Sequence, residues 1–311
     1  MTQAIKPRIM IIGAGAMGRL WAAYLHTAAE VWFATRSVSG PKIDYPMRDA
    51  TGSRHSISVP VWVRERGLPD CILVMTKAPD AEAALAPFDA LLSTNTLLST
   101  DIPVVLFQNG MGSQRTIVER YPGVPIIAAS TTEGAYIAPD GLLVHAGKGI
   151  TWVGGLNAIA QSQAEAAVNY LGLSGLTVAQ DNDIEGRLWQ KLAINAGINP
   201  FTALLDCPNG EILGNGYFEQ RIGGVCEEVS TLMNARGRPI PAATLEAQVR
   251  EIANRTATNS SSMRQDIRAG RQTEIDMMNG FVVRESEALG LSAPVNRELT
   301  TAVRALRHTK A

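Results

Sequence analysis

The fold of the N-terminal half is decided by the run Arg8-Ile-Met-Ile-Ile12 and the segment directly after it, Gly13-Ala-Gly15-Ala-Met-Gly18. An apolar run of strand length ends at a glycine, and an amphipathic stretch over residues 16–28 predicts the first helix. In this setting the first glycine permits a tight turn, the second lets the backbone approach a pyrophosphate, and the third lets helix and strand pack closely. The pattern predicts a dinucleotide-binding turn, with the pyrophosphate at the helix N-terminus. Its predicted cofactor contacts are Gly13, Ala14, Gly15, Ala16, Met17 and Gly18.

Apolar runs of strand length recur through the first half of the chain, at residues 31–35, 71–75, 104–107 and 125–129. Their hydrophobicity is continuous rather than alternating, which indicates parallel strands covered on both faces. Because helical stretches separate them, the runs predict a doubly wound sheet. Residues 142–145 and 150–153, joined through two glycines, predict an antiparallel hairpin appended to that sheet.

The sequence changes character after Asp181, where long helical periodicities replace the strand-like runs. A length of 311 residues favours two domains over one large one. We therefore expect an α/β Rossmann-type domain with a doubly wound parallel sheet over residues 1–181, and a second, all-helical domain over residues 182–311. Domain interfaces preferentially bind small ligands, so a cleft between the two is the expected site.

Composition narrows the classes of partner and the compartment. A formal net charge of −1 gives no reason to expect nucleic acid or an acidic membrane as partner. No signal pattern or apolar run of membrane-spanning length is visible, which favours a protein that does not enter membranes. Three scattered cysteines fit a reducing cytoplasm, and neither they nor the four histidines show metal-ligand spacing. The histidines are expected on the surface or in strand packing, and no metal is implied.

A polar stripe interrupts segment 189–201, which is otherwise almost wholly apolar. Lys191, Asn195 and Asn199 are spaced four residues apart, and a helix turning about 100° per residue keeps them on one side. A helix that is apolar on its other sides is buried, and buried ammonium and amide groups require partners. The alternative is a lysine reaching solvent while the asparagines satisfy helix ends. Pro200 leaves no room for a solvated polar face to continue, so the stripe favours a small polar ligand.

The choice of nucleotide depends on the end of the second strand. An NAD site usually has a carboxylate there, but the chain reads Ala34-Thr35-Arg36-Ser37. Arg36 offers a forked cation for a 2′-phosphate, so NADPH is favoured over NADH, with a solvated loop arginine as the alternative. Lys77 and Asn109 follow later strands, at the sheet edge where such folds bind ribose, nicotinamide or substrate.

Together these segments resemble the ketopantoate reductase (2-dehydropantoate 2-reductase) family, essentially from end to end. The glycine motif is generic, whereas the lysine–asparagine stripe combined with the segments at 207–211, 261–266 and 270–276 is specific to that family. The resemblance implies that Lys191 is the catalytic lysine and Glu274 an acidic residue near the reacting centre and the cofactor. The substrate-binding positions that it implies are Lys191, Asn195, Asn199, Asn209, Asn259 and Ser262. The cofactor contacts that it adds to the glycine turn are Arg36, Lys77, Asn109, Glu274 and, more loosely, Ala135.

Two residues depart from what the family leads us to expect. Asp206 stands where close relatives have a neutral amide, and Gln108 stands where a histidine is common. Glu274 considered alone would be a solvated carboxylate at a helix start, since Thr273 precedes it. Asp266 is predicted to be structural, capping a helix or pairing with Arg268 or Arg271.

The chemistry fits these residues. Reducing a 2-oxo acid requires a hydride, which NADPH supplies, and a cationic or acidic group where the alkoxide develops. The Lys191 ammonium would polarise the carbonyl as a cation and then donate its proton as a general acid, and Glu274 would hold that proton and the orientation of the ammonium. A carboxylate group of the substrate suits Ser262 and nearby backbone, and its hydroxyl suits asparagines, which both donate and accept.

The sequence therefore predicts an NADPH-dependent reductase that converts ketopantoate to pantoate on the route to pantothenate and coenzyme A. The alternatives are a reductase of another branched 2-oxo acid and a non-catalytic NADPH sensor that signals by domain closure. Apolar helical faces after residue 210 fit either a closed core or a homodimer.

Overall fold

The computed structural model describes residues 5–35, 40–92 and 102–306. The chain forms two compact units. The first contains the chain up to Gln108 together with Ser113–Glu185, and the second contains Asn109–Gly112 together with the chain from Gly186 onward. The predicted domain boundary at 181–182 stays a prediction.

The first unit contains the strands. In chain order they are β1 (Arg8–Ile12), β2 (Glu30–Ala34), β3 (Lys42–Arg48), β4 (Arg54–Pro60), β5 (Cys71–Val74), β6 (Val104–Leu106), β7 (Ile126–Thr131), β8 (Gly134–Ile137), β9 (Leu143–Gly147), β10 (Ile150–Gly155) and β11 (Thr177–Gln180). Among the described residues, seven of them form one sheet in the order β11-β10-β7-β6-β5-β1-β2. Every pair in it is parallel except β10 with β7. The predicted Rossmann-type doubly wound sheet is confirmed.

Helices cover both faces of this sheet. Those of the first unit are α1 (Ala16–Leu25), α2 (Ala81–Leu85), α3 (Asp89–Leu92), α4 (Ser113–Arg120) and α5 (Ala158–Gly172). In β1, Ile9 and Ile11 pack in the same cluster as α1 and α5, whereas Met10 and Ile12 pack in the cluster of α2 and α4. Successive side chains of a strand point to opposite faces, so a strand buried on both faces must be apolar throughout.

The predicted hairpin of residues 142–145 and 150–153 is wrong. β9 pairs with β8 and β3 in a second sheet, ordered β4-β3-β9-β8 among the described residues, whereas β10 pairs with β7 and β11. The Thr132 N–H donates to Ile150 O at 3.0 Å, and a Cβ on Gly149 would lie 2.4 Å from the Thr132 carbonyl carbon. Only glycine allows this approach, which moves the chain from one sheet to the other.

The second unit is helical. Its helices are α6 (Ile184–Leu204, which begins in the first unit), α7 (Gly216–Glu219), α8 (Ile222–Ala235), α9 (Ala242–Arg255), α10 (Ser262–Arg268), α11 (Asn279–Ala288) and α12 (Pro294–Ala305). Within its described residues there is no strand, as predicted. Trp189 of α6 packs against Phe281 with ring centroids 5.7 Å apart. No helix in the part of the chain described is long and apolar enough to cross a membrane.

Candidate active site

A cavity of about 520 Å³ opens in the first unit beside the glycine-rich turn. It lies at the carboxyl ends of β1, β2 and β5, where open α/β sheets bind their ligands. Its lining includes Gly13, Ala14 and Gly15 of the turn, and the side chains of Arg19, Thr35, Thr76, Asp80 and Phe88. The predicted turn residues Ala16, Met17 and Gly18 form the first turn of α1.

The three glycines differ in what requires them. Gly13 has a φ of +106°, and a Cβ on it would lie 3.0 Å from the backbone of Met75 and Thr76. A Cβ on Gly18 would lie only 2.0 Å from the Gly13 carbonyl oxygen. A Cβ on Gly15 would meet no described atom within 4 Å. Packing therefore requires the first and third glycines, while the space over the second is open for a ligand.

The cavity residues fit a dinucleotide. Thr76 Oγ1 is buried and has no hydrogen-bond partner among the described residues. Gly15, the residue before α1, provides no side-chain cap for the amides of the first helical turn. Free amides at a helix start bind phosphate oxygens, and a buried hydroxyl without a partner is costly. The backbone amides would hold the pyrophosphate, and Thr76 would bond to another polar group of the nucleotide.

Arg19 is a cavity residue that the sequence reasoning missed. Its Nε donates to Ala14 O at 2.9 Å, and its Cζ lies 5.2 Å from the centre of the Tyr45 ring. The Tyr45 hydroxyl in turn donates to Arg19 O at 2.7 Å. These contacts hold a cation on the cavity wall. The available signal was an arginine directly after the third glycine of the motif.

The other predicted cofactor contacts are distributed differently. Arg36 lies outside the described residues. Lys77 follows Thr76 at the end of β5 and is half-buried. Ala135 is on β8, paired with His145, and packs against the core on the α1 side of the sheet. Neither Lys77 nor Ala135 lines the cavity.

Asn109 belongs to a short segment that is grouped with the helical unit. The Met111 N–H donates to Met277 O at 2.9 Å. Gly110 has a φ of +76°, and a Cβ on it would lie 2.1 Å from Met277 O. Gly110 must therefore be glycine for the segment to reach the turn at residues 275–277. Asn109 is half-buried at the start of this segment.

The predicted polar stripe lies on α6. Apolar neighbours on the helix are buried, among them Leu188, Trp189, Leu192, Ala196 and Phe201. Lys191 and Asn195 are half-buried and Asn199 is buried. The predicted helix is confirmed over the whole segment, and it continues through Pro200 to Leu204.

Lys191 and Glu274 act on each other electrostatically. Burial lowers the pKa of Lys191 to about 8, and the Glu274 carboxylate works against this by favouring the ammonium. Glu274 is buried, directly before a single 3₁₀ turn at Ile275–Met277. The reading of Glu274 as a solvated carboxylate is therefore wrong, since tertiary packing covers it. The pair places a cation of lowered proton affinity beside a carboxylate.

Three more predicted substrate residues lie near one another, and one of them has an unused acceptor. Asn209 Nδ2 donates to Thr256 Oγ1 at 2.9 Å, and the Asn209 N–H donates to Asn259 O at 2.9 Å. Asn209 Oδ1 is buried and has no partner among the described residues. Asn259 is exposed, as is Ser262 at the first position of α10.

The preceding serine, Ser261, joins α10 to α6. Its Oγ accepts from the Arg264 N–H at 3.1 Å, as the cap of α10. The same oxygen lies 2.7 Å from Thr202 Oγ1 of α6. This contact ties the start of α10 to the polar end of α6, and sequence reasoning did not identify either partner.

The two departures from the family pattern are structural. Asp206 has a φ of +47° and accepts hydrogen bonds from the Nε atoms of Arg264 and Arg268, which hold its pKa at about 2. Gln108 is buried, and its Nε2 donates to Val74 O and Thr76 O.

Asp266 Oδ1 accepts from Arg271 Nε at 3.0 Å, so the predicted pairing with Arg271 is confirmed.

The histidines were predicted to lie on the surface or in strand packing, and His145 shows the second case. No cluster of three or more histidine, cysteine or acidic residues suited to a metal occurs in the described ranges. His145 on β9 is buried between the Tyr24 hydroxyl at 2.8 Å and Glu133 Oε2 at 2.7 Å. It joins α1 to the smaller sheet, which is the predicted packing role, and His308 lies outside the described residues.

Comparison with known families agrees with the geometry. The family described as "Ketopantoate reductase PanE/ApbA" matches residues 9–158, and its C-terminal counterpart matches residues 183–307. The 2-dehydropantoate 2-reductase of Vibrio cholerae serotype O1 is 32% identical over 306 residues, covering 97% of this chain and 98% of that protein. The chain belongs to the ketopantoate reductase family.

Solved structures agree with this ketopantoate reductase fold. A PanE/ApbA family ketopantoate reductase from Ralstonia eutropha superposes with a TM-score of 0.83 and 24% identity, covering 97% of this chain and 99% of that one. A ternary structure of D-mandelate dehydrogenase with NADH and anilino(oxo)acetate superposes with a TM-score of 0.86 and 24% identity, covering 97% and 98%. Both likenesses confirm the fold.

Proposed function

We propose that this chain reduces ketopantoate to pantoate with NADPH, and that Lys191 is the general acid. The observation that carries the proposal is the electrostatic interaction of Lys191, on the polar face of α6, with Glu274, which precedes the 3₁₀ turn at Ile275–Met277. The pKa of Lys191 is lowered to about 8. Membership of the ketopantoate reductase family supports the same reaction.

The pKa of Lys191 suits proton donation near neutral pH. A group of pKa about 8 is mostly protonated at pH 7, yet gives up its proton more readily than an ordinary lysine. We place the keto oxygen of the substrate at the Lys191 ammonium, which stabilises the developing alkoxide and then protonates it. NADPH would supply the hydride for this reaction. After the transfer, burial stabilises the neutral Lys191 amine, and the Glu274 charge favours its return to the ammonium form.

The asparagines would bind the rest of the substrate. Amides both donate and accept, so Asn195 and Asn199 suit a hydroxyl group. The unpaired Asn209 Oδ1 can accept a hydrogen bond from the same kind of group. Exposed Ser262 and Asn259 remain proposed contacts for the carboxylate side of the ligand. The predicted cleft between the two domains remains part of this proposal.

The cofactor proposal combines the turn with its surroundings. The glycine turn would hold the pyrophosphate, and Arg36, Lys77, Asn109, Glu274 and Ala135 remain proposed contacts. β2 ends without a carboxylate, and Thr35 lines the cavity beyond it, which supports NADPH over NADH. Arg19 adds a cation to this wall of the cavity.

Location and assembly are smaller parts of the proposal. The three cysteines are buried free thiols, which supports a reducing cytoplasm. A homodimer stays a prediction that light scattering of the purified protein would check.

The test is a panel of 2-oxo acids of similar size, with NADPH oxidation followed by absorbance. We expect the highest kcat/KM for ketopantoate and a much lower value for the analogue that lacks its hydroxyl group, because the asparagines would lose their partner. A higher kcat/KM for a different branched 2-oxo acid would show that the same residues reduce that substrate instead. Tight NADPH binding without turnover of any of them would instead indicate a sensor.

A further inference from the structure

Pro200 leaves a gap in the hydrogen bonding of α6. In an α-helix the carbonyl of residue 196 accepts from the N–H of residue 200, and proline has none. Ala196 is fully buried, so its carbonyl oxygen cannot be satisfied by bulk water. A buried carbonyl of this kind requires a donor from elsewhere in the protein.

Asn279 provides that donor. Its Nδ2 lies 3.1 Å from Ala196 O and 2.9 Å from Asn296 Oδ1. An amide nitrogen carries two hydrogens, so both can be donated at once. Asn279 is fully buried at the start of α11, 83 residues from Ala196 along the chain. A side chain from another helix therefore replaces the bond that proline removes.

The orientation of the Asn279 amide is set by a carboxylate. Glu228 Oε2 accepts from Asn296 Nδ2 at 2.7 Å and from the Asn296 N–H at 2.9 Å, and Oε1 accepts from the Val295 N–H at 2.8 Å. An ionised carboxylate only accepts, so Asn296 must turn its Nδ2 toward Glu228 and its oxygen toward Asn279. Asn279 must then present its own NH₂ to that oxygen.

This bond lies in the middle of the proposed substrate stripe. The Ala196 carbonyl directly follows Asn195, and Asn199 directly precedes Pro200. Asn199 Nδ2 contacts Met278 Sδ at 3.6 Å, so two consecutive residues, Met278 and Asn279, hold this turn of α6. Glu274, which acts on Lys191, belongs to the same short segment.

We propose that Asn279 is a positioning residue: by replacing the hydrogen bond lost at Pro200, it sets the course of α6 between Asn195 and Asn199. The two amides then stand in a fixed position relative to Lys191. The inference rests on the proposed function. Asn279 itself touches no substrate in this scheme and acts through the backbone of α6.

The test is a double-mutant cycle of Asn279→Leu and Pro200→Ala. Asn279→Leu keeps the size of the side chain but leaves Ala196 O without a donor, so we expect KM for ketopantoate to rise roughly tenfold. The Kd for NADPH is expected to stay unchanged. Pro200→Ala restores a backbone N–H for Ala196 O, so Asn279→Leu in that background should raise KM by only a few-fold.

The matched control is Leu299→Ala, which truncates a fully buried side chain of α12 that takes no part in the hydrogen bonds of Asn279. This variant is expected to lower the Tm and to leave KM unchanged. If it raised KM as much as Asn279→Leu does, the effect of Asn279 would be one of general stability, and the proposal would be overturned. The same holds if Asn279→Leu raises KM equally with and without Pro200. Should Asn279→Leu not fold, the smaller Asn279→Ser, too short to reach Ala196 O, carries the same comparison.

The two proposals fail in different ways. If the wild-type protein reduces none of the 2-oxo acids, the proposed function is wrong. The Tm values of the wild type, the two single variants and the double variant would still measure the coupling between positions 279 and 200. No coupling in Tm, in an otherwise folded set, would overturn the role of Asn279 on its own.

Discussion

The nucleotide cavity and the polar face of α6 are built in opposite ways. At the cavity, the turn that would hold the pyrophosphate is made from contiguous residues, where Gly13 and Gly18 shape the backbone and its amides would bind the ligand. The polar face depends on side chains brought from far along the chain, since Met278 is 79 residues from Asn199. A site made of backbone is visible in a short motif, whereas a site made of side chains depends on the packing of several helices.

The two regions also differ in electrostatics. Backbone amides at a helix start carry fixed partial charges that do not titrate. The polar face depends on Lys191, which loses its charge at a pH near 8. Changes to the glycine turn should therefore affect nucleotide binding, whereas changes to the polar face of α6, by substitution or by pH, should affect the chemical step.

The largest expected effect is on Lys191. Lys191→Ala removes the proposed proton donor, so kcat should fall by roughly 10²–10⁴-fold, as for loss of a general acid. The Kd for NADPH, measured by fluorescence titration, is expected to stay close to that of the wild type. Lys148→Ala, at an exposed lysine between β9 and β10, is the control. A Lys191→Ala enzyme that reduced ketopantoate at the normal rate would disprove the assignment.

The opposite pattern is expected for Gly18→Ala. The new Cβ would lie 2.0 Å from Gly13 O, so the glycine turn must move. Overpacking of this kind costs about 1–3 kcal/mol, and we expect NADPH binding to weaken by roughly 10–100-fold. The matched control is Gly172→Ala at the end of α5, where a Cβ meets no described atom within 4 Å. Equal nucleotide affinity in both variants would show that the turn does not hold the cofactor.

A pH series tests the polar face without a substitution. Activity should fall by about tenfold per pH unit above the pKa of about 8, because the proposed donor loses its proton. The contribution of Lys191 to stability should move in the other direction. Its folded pKa lies below the usual 10.5, so the unfolded chain binds more protons between about pH 8 and 10.5, and stability rises with pH in that window.

The pH prediction has two checks. Initial rates and the free energy of unfolding by denaturant are measured on the same samples across the pH range. In Lys191→Met, the pH dependence that Lys191 causes should disappear from both the rate and the free energy of unfolding. If the wild-type rate stayed constant well above pH 8, a different group would be donating the proton.

The smallest effect is expected for Asn195→Ala. Loss of one neutral hydrogen bond to the substrate should raise KM for ketopantoate by roughly 3–10-fold and change kcat little. Steady-state kinetics with saturating NADPH would show it, with Asn254→Ala on the exposed side of α9 as the control. A large fall in kcat instead would show that Asn195 acts in the chemical step and not only in substrate binding.

The strands show which parts of the fold a sequence makes visible. β1, β2, β5, β6 and β7 were predicted to within about two residues, because strands covered on both faces are apolar throughout. β3 and β4 were missed, although Ile43, Tyr45 and Met47 alternate with exposed residues in the pattern of a half-buried strand. The hairpin failed because two adjacent strands need not pair when each has a better partner elsewhere.

Glycine spacing and helical periodicity are local properties, so residues 13–18 and the stripe from Lys191 to Asn199 are recognisable in the amino-acid sequence alone. Burial and pairing are properties of the packed chain. Thr273 before Glu274 suggested a solvated carboxylate, and nothing near Ala196 in sequence pointed to Asn279. Whether a charge is desolvated, or a carbonyl finds a donor, depends on which distant segment lies against it.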